Sequence, residues 1–262
     1  MRELLTYIML TVILTAVIVV FIWITESGKH KTNKKITSGM KYTVAGKEYK
    51  VPELEVKGEA YLLEEKFMLL IRKLYSQTKK ALDSMEMKHW VSGGTLIGFV
   101  RHETFMPWDD DVDFHTEDRN REYMFTKEFR DKIKPYGIEA IYMIGTSPEY
   151  TFYKGGVRIK LIGHENPVLD IFFVKKDGEK IKKIENWNKD KIEYNTKEQW
   201  PPEEIYPITE KNIDGLKVNL PNMPEQVLKR QYGDGVMKKI YCEALPHSVA
   251  YDMFNFIWVK NP

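Results

Sequence analysis

The segment Pro107-Trp108-Asp109-Asp110-Asp111-Val112-Asp113-Phe114 governs how the rest of the chain is read. After the Pro-Trp pair, acidic and apolar residues alternate: Asp111, Val112, Asp113, Phe114. A strand sends successive side chains to opposite faces, so Asp111 and Asp113 project together while Val112 and Phe114 point into a core. Two neighbouring carboxylates repel each other unless positive charge compensates, and a hard divalent cation takes oxygen ligands from one or two carboxylates plus substrate phosphates. Mg²⁺ or Mn²⁺ is therefore the expected companion. Most Asp-rich runs are solvated loops; this one is embedded in aromatic and apolar residues directly after a Gly-Gly turn.

Working upstream, Trp90-Val91, Ser92-Gly93-Gly94-Thr95 and a short helical stretch to about Arg101 precede the acids, which gives strand, tight turn, helix, strand. Gly93 and Gly94 can adopt backbone angles closed to other residues and expose amides to a phosphate, helped by a helix start near Thr95. The chain has neither a GxxxxGK[ST] loop nor a GxGxxG fingerprint, so P-loop and Rossmann readings are unavailable. Arg101 closes the short helix, and Arg158 shares a strand face with Lys160. These cations either meet a diphosphate or are ordinary surface charges. His102 either assists them or is structural.

Downstream, a third acid stands inside an apolar run, Val168-Leu169-Asp170-Ile171-Phe172-Phe173-Val174. An aspartate in such a strand needs a partner. If the strand lies beside the one carrying Asp111 and Asp113, the three carboxylates converge on a common cation; the alternative is a buried salt bridge, for example to Arg158. Ala60 to Met87 has the 3.6-residue period of an amphipathic helix, and a charged helical stretch runs from Asp118 to Lys134. Strands are expected over Ile138–Ile144, Val157–Ile162 and Val168–Val174, then a patternless charged excursion over Lys175–Trp200. A strand at Leu216–Leu220 and a helix from Pro224 to Tyr232, stopped by Gly233, follow. Together these give an α+β fold, a mixed sheet flanked by helices.

The 262 residues, 43% of them hydrophobic, suit one globular domain. The net charge of +2 gives no field that would attract nucleic acid, and the single Cys242, read as a packing residue, rules out an intramolecular disulfide. Leu4 to Ile24 is uncharged, and its roughly 21 residues match a bilayer core about 30 Å thick, so residues 1–25 read as an uncleaved transmembrane anchor in the lipid bilayer. Residues 26–57 read as a stalk holding a small hairpin around Ala45-Gly46-Lys47, and residues 58–262 as the catalytic domain. Lys29, Lys31, Lys34 and Lys35 follow the span, and this charge bias favours a cytoplasmic domain.

The run Gly93-Gly94-Thr95-Leu96-Ile97-Gly98-Phe99-Val100-Arg101-His102, followed by Phe105-Met106-Pro107-Trp108-Asp109-Asp110-Asp111-Val112-Asp113-Phe114, resembles the signature of the LicD family. That family includes bacterial phosphocholine transferases and the fukutin and fukutin-related proteins of animals. Similarity continues through Leu169-Asp170-Ile171-Phe172 and Ile205-Tyr206-Pro207 to Tyr232-Gly233-Asp234. The resemblance implies a nucleotidyltransferase-like mixed sheet, with Asp111, Asp113 and Asp170 as metal ligands. It further implies transfer of a phosphorylated group from a CDP-linked donor to a glycan hydroxyl, with Gly93, Gly94, Thr95, Arg101 and Arg158 on the phosphate side. Asp170 or Asp109 would orient the incoming hydroxyl. In a eukaryote the resemblance points to an endomembrane (Golgi or ER) setting, so the side of the membrane stays open. Two rivals are a membrane-anchored DxD glycosyltransferase on another fold and a non-catalytic relative that binds glycans.

Overall fold

A computed structural model of the chain describes residues 30–145, 156–188, 191–241 and 256–259. The Leu4–Ile24 span and Cys242 lie outside the described residues. Among the described residues no helix is long and apolar enough to cross a membrane.

The centre is a mixed sheet of eight strands. Strand β6 (His89–Val91) pairs antiparallel with β7 (Asp111–Glu117), which lies parallel to β10 (Val168–Asp177). On the other side of β10 lies β9 (Gly156–Leu161), followed by β8 (Ile138–Gly145) and β16 (Phe256–Val259), all antiparallel. The end of β10 turns into the hairpin β11 (Lys180–Asn188) and β12 (Lys191–Trp200).

One face of this sheet is covered by the long helix α1 (Glu65–Ser84), which buries Phe67, Ile71, Leu74 and Leu82. Tyr75 of α1 meets Phe114 of β7 edge to face at 5.5 Å. Each fully buried side chain of this size contributes roughly 1.5–3 kcal/mol. The charged stretch after β7 is not one helix: a 3₁₀ turn at Asp118–Asn120 leads into α3 (Arg121–Met124) and α4 (Lys127–Ile133), the latter restarted by Thr126, whose hydroxyl accepts from the Phe129 amide.

Two expectations are corrected by the packing. In place of a free stalk, residues 31–57 form β1 (Lys31–Lys35), the hairpin β2 (Lys41–Val44) and β3 (Lys47–Lys50), and β4 (Glu55–Lys57). β1 pairs with β5 (Tyr61–Leu63), and Ile36, Tyr42, Val44 and Val51 are buried in the main core. Alternate burial on such short strands leaves a composition that looks like a linker. The Lys175–Trp200 stretch is likewise no loose excursion; Ile181, Ile184 and Trp200 are buried and anchor the β11–β12 hairpin to the sheet.

A further hairpin, β13 (Thr209–Ile213) and β14 (Leu216–Leu220), turns at Asp214-Gly215, both with positive φ. The Asp214 side chain, 2% exposed, binds Lys47 of the β2–β3 hairpin and Arg72 of α1, and accepts from Thr104 Oγ1 at 2.7 Å and from the Tyr49 hydroxyl at 3.0 Å. Burial alone would raise this carboxyl, but the hydrogen bonds from Lys47, Thr104 and Arg72 hold it below its ordinary value. One aspartate thus clips the N-terminal hairpin, α1 and the segment leading to the acids into a single body.

Candidate active site

Val112 and Phe114 are fully buried against α1, which leaves Asp111 and Asp113 on the opposite face of β7, as the alternation requires. Asp170 stands directly across from Asp113 in the parallel β7–β10 register. Arg158 of β9 stands across from Asp170 on its other side. Asp113, Asp170 and Arg158 thus form one row over three strands, and the two distant acidic stretches do meet.

The row also decides what Asp170 does. Arg158 Nε and Nη2 donate to the two carboxylate oxygens of Asp170, each at 2.7 Å, a bidentate pair. Of the two partners open to Asp170, the structure shows the salt bridge. Arg158, expected on the phosphate side, has its guanidinium fork on Asp170.

The glycine turn is shaped by the acids themselves. Helix α2 (Gly93–Ile97) begins with Gly93 at φ +54° and continues into a π turn, Gly98–His102. A Cβ at Gly93 would lie 2.5 Å from Asp113 Oδ2, and one at Gly94 would lie 2.5 Å from Asp109 Oδ2. Only glycine lets this backbone come so close to the carboxylates. Thr95 Oγ1 accepts from the Asp113 amide at 2.9 Å, and the Ser92 amide donates to the Asp113 carbonyl at 3.0 Å, so turn and strand are stitched together.

Crowding acids in this way has an electrostatic cost. Burial, and then the charges of Asp111 and Asp110, hold the Asp109 carboxyl well above the ordinary range. Asp111 is pushed up to about 7 by burial and by Asp170 and Asp110, against the opposing pull of Arg158. Asp113 is raised by burial, Asp111, Asp170 and Asp109, with Lys183 pulling the other way. An oxygen-only donor set with unrelieved repulsion fits a hard divalent cation. Among the described residues no three His, Cys, Asp or Glu side chains already enclose an ion position; the Arg158 clamp keeps Asp170 otherwise engaged.

Arg101 is placed differently from the expectation, and His102 takes the structural alternative. Arg101 Nη1 donates to the carbonyls of Val236 at 2.7 Å and Lys239 at 2.8 Å, which ties the π turn to β15 (Lys239–Tyr241). His102 packs edge-on against Trp108 at 5.2 Å; burial and the adjacent Arg101 push its pKa down to about 3, so it is neutral.

Sequence reasoning missed a polar network on the same face. His115, next after Asp113 on that side of β7, places Nε2 3.5 Å from Glu198 Oε1 of β12. Lys183 Nζ of β11 lies 2.8 Å from Glu198 Oε2 and 4.1 Å from the ring centre of Phe172. Gln231 of α5 (Pro224–Tyr232) donates to Glu198 at 3.0 Å and to the Tyr232 hydroxyl at 3.2 Å. Burial, then the negative charges of Asp113, Glu198, Asp109 and Asp111, raise the Tyr232 phenol, and its helix packs against α2 and β12. The signal was weak: Ile181 and Ile184 stand three apart, because the β11–β12 register shifts between Lys182 and Ile184, so no period of two marks the strand. A cavity of about 1080 Å³, lined by Met85, Met87, Tyr123 and Tyr136, lies beyond the far end of β7 from the acids and has no part in this site.

Comparison with known proteins places this site in a family. Residues 86–223, just over half of the chain, match the LicD/FKTN/FKRP nucleotidyltransferase domain. An uncharacterised protein of Rickettsia prowazekii is 26% identical over 172 residues, covering 66% of this chain and 57% of that protein. One of Rickettsia typhi is 27% identical over 206 residues, covering 77% and 55%. The chain thus spans little more than half the length of these curated relatives. The lipopolysaccharide cholinephosphotransferase LicD of Haemophilus influenzae is 33% identical over 54 residues, 21% of this chain and 20% of that one. Among solved structures, the lincomycin-bound lincosamide antibiotic adenylyltransferase LnuA overlays with a TM-score of 0.34 at 12% identity, covering 61% of this chain and 94% of that chain. The matched residues contain the glycine turn, the three strand-borne acids and both strands that carry them: the chain belongs to the LicD/FKTN/FKRP nucleotidyltransferase-domain family.

Proposed function

We propose that the chain transfers a phosphorylated group, of the phosphocholine or polyol-phosphate class, from a CDP-linked donor to a glycan hydroxyl with a divalent cation, Mg²⁺ or Mn²⁺. The observation that carries this reading is the gathering of Asp109 and Asp113 against the Gly93-Gly94 backbone, with Asp111 on the same face of β7 and Asp170 in register beside Asp113. The cholinephosphotransferase relative supports the class of group moved. Asp111 and Asp113 would hold the cation, whose chemistry is to neutralise charge on the diphosphate.

The chain's own residues do the rest. Gly93 and Gly94 let phosphate oxygens approach the turn amides as closely as they let the acids approach. Thr95 and Ser92 fix the Asp113 backbone, so the carboxylate does not swing away when substrate binds. The Arg158–Asp170 pair holds β9 and β10 in register beside Asp113. Asp109, outside the strand pairing, orients the acceptor hydroxyl and takes its proton as the oxygen bonds to phosphorus and the bond to CMP breaks.

The test is product analysis: the chain is incubated with a glycan acceptor, Mg²⁺ or Mn²⁺, and each of CDP-choline, CDP-ribitol, CDP-glycerol and a UDP-sugar. CMP release with phosphate entering the acceptor is the expected result. Phosphate-free sugar transfer would establish a DxD glycosyltransferase instead, and failure to bind any CDP conjugate a non-catalytic glycan-binding relative.

A further inference from the structure

We infer that Lys183, held by Glu198, is the residue that binds the donor diphosphate, a role the sequence pattern had offered to Arg101 and Arg158. The inference rests on the proposed reading of the site. Both arginines have their guanidinium groups committed, Arg158 to Asp170 and Arg101 to the carbonyls of Val236 and Lys239. A diphosphate beside clustered carboxylates still needs a cation from the protein.

Lys183 meets the geometric requirements. It stands across from Val174 in the β10–β11 register, and Val174 shares its face of β10 with Asp170 and Phe172. The ammonium lies over the Phe172 ring, two residues from Asp170, and the side chain is 20% exposed, so it is reachable from solvent. Glu198, 5% exposed, fixes the ammonium at 2.8 Å and is itself held by Gln231 of the helix that packs against α2. A lysine held this way loses little side-chain freedom on binding, which favours its use as a fixed point charge for phosphate.

Glu198 is accordingly a positioning residue that acts through Lys183. The experiment is calorimetric titration of the chain with CDP in Mg²⁺, with thermal melts to confirm folding, on wild type, Lys183→Met, Lys183→Arg, Glu198→Gln and the double variant Lys183→Met/Glu198→Gln. Loss of one charge-assisted contact weakens CDP by about tenfold or more. Lys183→Met is expected to show this loss, Lys183→Arg to recover most of it, and Glu198→Gln to weaken binding alone but add nothing in the Lys183→Met background. The double variant removes both buried charges together, so it keeps the test open if Lys183→Met alone fails to fold. A folded double variant that binds CDP within about twofold of wild type overturns the inference and leaves the functional reading intact. Wild type that binds no CDP with Mg²⁺ overturns both.

Discussion

Gly93 lies tightly against Asp113, and a Gly93→Ala substitution turns this approach into a measurable conflict. Two costs are separable. Gly93 has φ +54°, where an L side chain costs about 1–2 kcal/mol. The new Cβ would also lie 2.5 Å from Asp113 Oδ2 and 3.3 Å from Asp113 Cγ. Restoring an ordinary contact of 3.4 Å to Oδ2 displaces the carboxylate oxygen by about 0.9 Å, while the Asp113 backbone stays fixed by Thr95 and Ser92. The first cost lowers Tm by about 2–8 °C for a domain of this size. The second acts on chemistry, where a misplacement of about 1 Å costs on the order of 100-fold. Gly137→Ala is the control, since Gly137 has φ +73° and a Cβ there would meet nothing within 4 Å, so it carries the strain without the clash. Thermal melts and CMP release are measured on the same preparations. Equal Tm losses with activity lost only in Gly93→Ala are expected; equal activity in the two variants would refute the claim that glycine sets the carboxylate position.

Asp214→Asn keeps a residue that tolerates the positive-φ turn but removes the charge shared by Lys47 and Arg72, and a loss of about 1.5–3 kcal/mol in denaturant unfolding is expected. A loss under about 1 kcal/mol would show that the clip is ornamental. The depressed pKa of buried His102, about 3, implies a pH signature. Its contribution is complete above the unfolded value near 6.5 and falls by up to about 1.4 kcal/mol per pH unit as pH drops from there toward 3. The raised Asp111 carboxyl works in the opposite sense, so the comparison is between wild type and His102→Asn: wild type is expected to lose more stability than the variant between pH 7 and pH 5, and parallel curves would contradict a neutral buried histidine. Arg101→Lys, whose shorter side chain does not bring its ammonium to the position from which Nη1 reaches both Val236 and Lys239 carbonyls, is expected to destabilise the fold by about 1–3 kcal/mol in the same assay.

The legible part of the site was the part written in period 2. Asp111, Val112, Asp113 and Phe114 alternate without interruption, and Asp170 stands alone in an apolar strand, so faces and neighbours followed from strand geometry. What stayed hidden depends on pairing between distant segments. Whether Asp170 meets a cation or Arg158 is fixed by the β9–β10 register, which no local pattern encodes. The Lys183–Glu198 pair was lost because Lys-rich strands read as solvated surface when only Ile181, Ile184 and Trp200 mark the buried side. The N-terminal hairpin was recognised from Ala45-Gly46-Lys47, but its attachment was not, because the anchor, Asp214, lies more than 160 positions away.

The most direct measurement of the central claim is titration of the chain with Mn²⁺, followed by electron paramagnetic resonance of the free ion, on wild type and Asp113→Asn. The account predicts a Mn²⁺ site in wild type that is weakened at least tenfold in Asp113→Asn, since a neutral amide removes one anionic oxygen ligand from the cluster. Equal Mn²⁺ affinity in the two proteins, or none in wild type, would contradict it.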